Sequence, residues 1–153
     1  MIAPFFGSMV QLFEILSTLP TRDFAAGETI IAEDSTTGML FFLINGEGEV
    51  PLASTSEPGS VFGEMSALLG TSHRASVRAV EPSSFYVVED GRGFLQNHPV
   101  ISMHVSELLA RRLDALNKYL VDVRQQFEGH DHLDMIDEVL EVLMHRQRRP
   151  PVR

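Results

Sequence analysis

The chain contains no cysteine, which excludes a disulfide framework and a thiolate metal site. It has no apolar run approaching the roughly 18 residues that read as a membrane span, so no membrane segment is expected. The N-terminal MIAPFFGSMVQLFEIL lacks a basic n-region and a small-residue cleavage pattern, which argues against a signal peptide. Basic residues are scarce: 12 Lys and Arg stand against 21 Asp and Glu, for a net charge of −9. Nucleic-acid binding relies on cations that neutralise phosphates, so this balance opposes it for the chain as a whole. The local exception, RQRRPPVR at the C-terminus, reads as a solvated tail complementing a helix C-terminus. Catalytic signatures are missing too. There is no P-loop, no nucleophile elbow and no Ser-His-Asp set in supporting context. The expectation is a soluble, cytoplasmic protein that is not an enzyme and has no resident cofactor, nucleic-acid partner or membrane partner.

The 153 residues suffice for one domain with a sizeable core. In residues 8–17, Met9, Leu12, Phe13 and Leu16 recur at helical spacing, and Pro20 ends the segment. From Phe24 to Val88 the texture turns to short β-type runs broken by Gly, Pro, Ser and Asp. GETIIAE, MLFFLINGEGEV, ASVRAV and SSFYVVED are strand candidates, and such spacing suggests a sandwich or jelly roll. Gly27, Gly38, Gly46, Gly59 and Gly63 mark the turns between them.

The most informative stretch is FGEMSALLGTSHRASV, Phe62 to Val77. Gly63 and Glu64 open a short apolar helical segment from Met65 to Leu69. A loop with His73 and Arg74 comes next, and a strand is expected from Ala75. Physically this is an anion cradle. A helix N-terminus presents N–H groups, a glycine lets the backbone approach a ligand, and a cation across the loop can neutralise a phosphate. Ionised Glu64 only accepts hydrogen bonds, so it suits a sugar hydroxyl and repels a bare phosphate.

The stretch resembles the phosphate-binding cassette of the cyclic-nucleotide-binding domain family, of the activator and kinase-regulatory type. That pattern runs roughly F-G-E-(L/M)-x-L-L…P-R-x-A-(T/S)-V. Other motifs agree in order: Phe24-Ala-Ala-Gly27-Glu28-Thr-Ile30-Ile31-Ala-Glu33, Phe41-Phe42-Leu43-Ile44-Asn45-Gly46-Glu47, and Pro58-Gly59-Ser60-Val61-Phe62-Gly63-Glu64. The resemblance covers about residues 10 to 120. It implies a mainly β fold with flanking helices: a double-stranded β-helix (jelly roll), then a long dimerisation helix and a short C-terminal helix. Asp34 stands where the family usually has glycine, and aspartate tolerates the left-handed turn better than most residues. Counting back from Ala75, the family's phosphate-binding arginine falls on His73 and its proline on Ser72, with Arg74 one place late. One step along a strand reverses the side chain's direction.

After Phe94 the pattern is helical, and Pro99 suits a helix's first turn. Leu109, Leu113, Leu116, Leu120, Val123 and Phe127 recur with 4-3-4-3-4 spacing. That is a heptad seam, longer than a β-roll needs. It predicts a parallel homodimer, and the resemblance points the same way. Glu128-Gly129-His130 interrupts, and Asp131 can cap an amphipathic helix with a Leu133, Ile136, Leu140, Leu143 stripe, wide enough to require burial. His130, Asp131, His132 and Asp134 have metal-donor types but read as a cap and turn, so no metal site is expected. His98 and His104 read as helix-start and surface residues. The expected organisation is a roll with its N-terminal helix over 1–99, the seam helix over 100–128, the second helix over 131–147 and a basic tail over 148–153.

The resemblance implies that Glu64 takes the ribose 2′-hydroxyl while the N–H groups of Gly63, Met65 and Ser66 take a cyclic phosphate. His73 or Arg74 supplies charge, and Ala75 completes the cassette positions. The two positions that contact the purine in activator-type relatives, three and four residues after Ala110-Arg111-Arg112-Leu113, are Leu116 and Asn117. Two functions remain open: a cAMP or cGMP sensor, and a nucleotide-blind dimeric interaction module with a degenerate cassette. Only 26 residues come after Phe127, too few for a helix-turn-helix domain, so output is expected through a separate protein partner.

Overall fold

The computed structural model describes residues 3–50, 53–127 and 140–141, with side chains from residue 9 onward. The chain divides into two compact units, Met1–Ser106 and Glu107–Arg153.

The first unit opens with α1 (Ala3–Leu16), whose Leu12 and Leu16 are buried. Among the described residues there are eight strands: β1 (Thr21–Phe24), β2 (Thr29–Ile31), β3 (Leu40–Asn45), β4 (Gly48–Val50), β5 (Ala53–Thr55), β6 (Val61–Phe62), β7 (Val77–Ala79) and β8 (Ser83–Val88). A six-residue helix, α2 (Glu64–Leu69), lies between β6 and β7. After β8, α3 (Gly91–Asn97) leads into α4 (Pro99–Gln126). The strands form two antiparallel four-stranded sheets, ordered β1-β8-β3-β6 and β2-β7-β4-β5. This is the expected β-roll with flanking helices.

β3 explains why the sequence there is a continuous apolar run. Phe41 and Leu43 belong to the core shared with Ile30, Ile31, Val77 and Ala79 of the second sheet. Leu40 and Phe42, one step out of phase, are also fully buried, and the Phe42 ring meets Phe94 of α3 at 6.4 Å. A strand covered on both faces cannot alternate apolar with polar. Between the sheets, Phe24, Phe41, Phe62 and Phe85 meet edge-to-face at 5.7–6.2 Å. Each such pair contributes about 0.5–1.5 kcal/mol beyond the area it buries.

The long apolar run proves to be two strands, β3 and β4, joined through Gly46-Glu47. β7 begins at Val77, two residues later than expected, because Ala75 and Ser76 stay in the cassette loop. The turn after Glu33 survives without glycine: Asp34 has φ +67, the single non-glycine residue with positive φ among those described. Pro99 heads α4 as expected. His98 and His104, however, are not simple surface residues. His98 stacks on Phe94 at 4.2 Å and bonds the Phe94 carbonyl through Nδ1 at 2.8 Å. His104 reaches the Gly59 carbonyl at 2.8 Å.

In the second unit, α4 carries Leu113 and Leu116 exposed, with Leu109, Leu120 and Val123 half-buried, and Phe127, in the turn just past its end, is exposed. Lys118 and Asp114 form an exposed i,i+4 ion pair at 2.9 Å on its flank. Apart from Leu140 and Glu141, which are helical and exposed, the expected helix 131–147 lies outside the described residues. So do the His130, Asp131, His132, Asp134 cluster and the basic tail. Among the described residues no helix is long and apolar enough to cross a membrane, and no group of His, Asp and Glu could hold a metal ion.

Candidate functional site

β6 delivers the chain to the cassette. Phe62 and Val61 pair with Phe41 and Phe42 of β3, and Leu43 donates its N–H to the Ser60 carbonyl at 2.8 Å. Gly63 then turns the chain with φ +91, and a Cβ there would collide with the Met39 carbonyl oxygen. Only glycine fits. Gly63 also stands at the N-cap of α2 and so provides no side-chain cap. The first intrahelical bond of α2 runs from Ala67 N–H to the Gly63 carbonyl at 3.1 Å. The amides of Met65 and Ser66 lie ahead of it, where a helix presents donors to an acceptor.

The buried face of α2 carries Glu64, Ser66 and Ala67. A carboxylate only 5% exposed, as Glu64 is, costs free energy unless hydrogen bonds hold it, so solvation alone does not account for its place. Ser66 Oγ donates to the Thr71 carbonyl at 2.5 Å, and Gly70 N–H closes on the Ser66 carbonyl at 2.9 Å. Arg92 Nη1 of α3 donates to the Leu68 carbonyl at 3.1 Å. The short helix is thus fastened at its C-terminal end while its N-terminal end faces the turn at Gly63. Met65, Leu68 and Leu69 are exposed.

The closing end of the cassette is built differently. His73 is 6% exposed, while Arg74 on the next step is exposed. The His73 N–H donates to the Ser35 carbonyl and its carbonyl accepts from Asp34 N–H, both at 2.8 Å. Its Nε2 lies 3.0 Å from Thr37 Oγ1, and Glu33 N–H donates to Ser76 Oγ at 3.0 Å. The loop between β2 and β3 is therefore laced to the cassette loop at several points. Burial pushes the His73 imidazole below its usual range, so the ring is neutral near pH 7. Of the two candidate cations, the structure turns His73 inward and leaves Arg74 in solvent. Ala75 is half-buried in the same loop.

Gly63, Glu64, Met65, Ser66, His73 and Ala75 all lie on the segment joining β6 to β7. Asn117 is on α4 in the second unit and is exposed. Sequence reasoning missed Ser35 and Thr37, two of the three residues that bond His73 from that loop. They lie on a polar loop 38 and 36 residues upstream, in a segment with no chemical signature of its own.

Residues 21–96 match the family model described as the cyclic nucleotide-binding domain. No curated protein matches the chain. Among solved structures, the catabolite activator protein of Thermus thermophilus is similar at 21% identity and TM-score 0.60, covering 92% of this chain and 87% of that one. A protein of Geobacter metallireducens described as cyclic nucleotide-binding is similar at 22% identity and TM-score 0.55, covering 67% and 86%. PKAR CBD2 bound to Sp-2Cl-cAMPS is similar at 20% identity and TM-score 0.53, covering 68% and 70%. At such identities the likeness is one of fold.

Proposed function

Because residues 21–96 belong to the cyclic nucleotide-binding domain family, we propose that the chain senses cAMP or cGMP and acts as a homodimer on a separate protein partner. The observation that carries the ligand half is the opening of the cassette: a left-handed Gly63 and then a buried Glu64 on the first turn of α2. In this reading Glu64 accepts from the ribose 2′-hydroxyl, and the N–H groups of Gly63, Met65 and Ser66 donate to the cyclic phosphate. Asn117 carries both a donor and an acceptor, as a purine edge requires.

His73 gives the binding a pH dependence. In the free protein its pKa is lowered by burial. A bound phosphate stabilises the imidazolium and raises that pKa, so binding takes up a proton and strengthens as pH falls. Calorimetry with cAMP and with cGMP at pH 6 and pH 8 tests this. Binding at both, tighter at pH 6, is expected. No heat with millimolar nucleotide at pH 6 rules the sensor out.

One observation favours the second reading, a nucleotide-blind interaction module: the His73 ring is already held by Thr37 in a desolvated place. The calorimetry separates the two.

The dimer half rests on the seam. Leu113 at 59% and Leu116 at 42% exposure are large apolar side chains on one helix, and burying each stabilises by about 1.5–3 kcal/mol. Sedimentation should show a dimer for the wild type and a monomer for Leu116→Glu plus Leu120→Glu. A monomeric wild type sinks this half.

A further inference from the structure

Gly59 is held from two directions. Its N–H donates to the Leu43 carbonyl of β3 at 2.8 Å, and its carbonyl accepts from His104 Nε2 of α4 at 2.8 Å. A carbonyl oxygen has no proton to give, so Nε2 is the protonated nitrogen of that ring. Gly59 itself is buried with φ +88, and a side chain there would meet His104 and the Phe13 ring of α1. The residue thus sits under α1 and α4 while its amide is locked to the first sheet.

The next residues of the chain make this contact consequential. Ser60 pairs its carbonyl with Leu43, Val61 and Phe62 form β6, and Gly63 opens the cassette. Ser60, Val61 and Phe62 span about 10 Å of chain and are paired to β3 along the way, up to the turn at Gly63. Such a stretch transmits a displacement instead of absorbing it. At the other end, Ile101 and Val105 flank His104 on the buried face of α4's first two turns, and Ser102 Oγ ties that helix to the Leu95 carbonyl of α3 at 2.5 Å.

We propose that His104 is a positioning residue: its hydrogen bond to Gly59 couples the conformation of the cassette to that of the first two turns of α4. This rests on the sensor reading and deepens it, by naming the contact through which occupancy of the cassette reaches the helix. Coupling is reciprocal, so loosening His104 also weakens the ligand. A single neutral hydrogen bond of this kind corresponds to about a two- to tenfold change in affinity.

The test uses the whole chain with two substitutions. His104→Phe keeps the ring's bulk and removes the donor, while His104→Gln keeps an N–H donor. Hydrogen exchange is measured at Phe62, Gly63 and residues 100–106, with Phe85 and Val87 of β8 as internal controls. Without ligand, His104→Phe should speed exchange at Phe62 and Gly63 about two- to tenfold and leave β8 unchanged, with His104→Gln close to wild type. With cAMP or cGMP, wild type should gain protection at residues 100–106. His104→Phe should lose that gain and bind about two- to tenfold more weakly. Unchanged exchange at Phe62 and Gly63 in the unliganded His104→Phe protein overturns the coupling. So does a ligand-induced gain at residues 100–106 as large as wild type's. If neither nucleotide binds wild type, the sensor reading fails, and the unliganded comparison still decides the coupling.

Discussion

At its opening end the cassette presents a left-handed glycine, the amides of a helix start and a buried carboxylate. At its closing end it presents an imidazole bound to Thr37, while the neighbouring guanidinium of Arg74 stands in solvent. The first end is shaped by backbone geometry, which Gly63 and the Met39 carbonyl fix together. The second is shaped by side chains: an imidazole that burial keeps neutral and a guanidinium left in solvent. Geometry made by the main chain rests here on a residue with no side chain, whereas charge rests on which side chain stands at a position. The two ends of such a site can therefore change independently.

The comparison breaks most readily at Glu64. If Glu64 takes the ribose hydroxyl as proposed, Glu64→Gln replaces a carboxylate acceptor by an amide; a hydrogen bond to a charged group is worth roughly 1.5–3 kcal/mol, so calorimetry should show about ten- to hundredfold weaker binding. An unchanged affinity takes the ribose away from Glu64. Gly63→Ala should destabilise the fold by about 1–3 kcal/mol in chemical denaturation, through the left-handed backbone and the collision with Met39. A neutral result means the opening end does not depend on that turn.

The closing end is sharpened by pH. Because burial lowers the His73 pKa, the unfolded chain takes up a proton more readily than the folded one. The unliganded protein should thus be stablest above the usual histidine value of 6.5 and lose that contribution as pH falls below it. Ligand affinity should move the other way, by at most about tenfold per pH unit. Opposite slopes are the expected signature, and urea denaturation midpoints paired with titrations at each pH would show them. Smallest of all is Arg74→Ala, which should change affinity by less than about twofold, since an exposed cation contributes little. A large loss would show that Arg74 turns inward on binding.

Much of this architecture could be read from the chain. The apolar run at Leu40–Leu43, the Gly63 turn with the short helix after it, the Asp34 turn and Pro99 all announce their structure through local chemistry. Other parts have no local signal. β1 is TRDF, with only Phe24 buried, and becomes a strand because it pairs with β8. β6 is two residues long. α3 contains two glycines in GRGFLQN, which lowers helix propensity, and depends on the Asp90 cap accepting from Gly93 N–H at 3.1 Å. Which of His73 and Arg74 is buried depends on the path of the loop, which spacing alone left open. The contacts of Thr37 and His104 are with distant segments, and no periodicity reports those.

The position of β8 inside the first sheet has a consequence for synthesis. It lies between β1 and β3, so that Thr21 pairs with Tyr86 and Phe42 pairs with Tyr86 from the other side. The strand that completes the sheet is thus made after both of its neighbours. At about 5–20 residues per second, β3 leaves the ribosome roughly 2–9 s before its partner exists. During that interval an apolar strand has no β8 to join. A nascent chain stopped short of Ser83 leaves β1 and β3 without the strand that joins them, and the full chain closes its roll late, by contacts that are remote in sequence and slow to form.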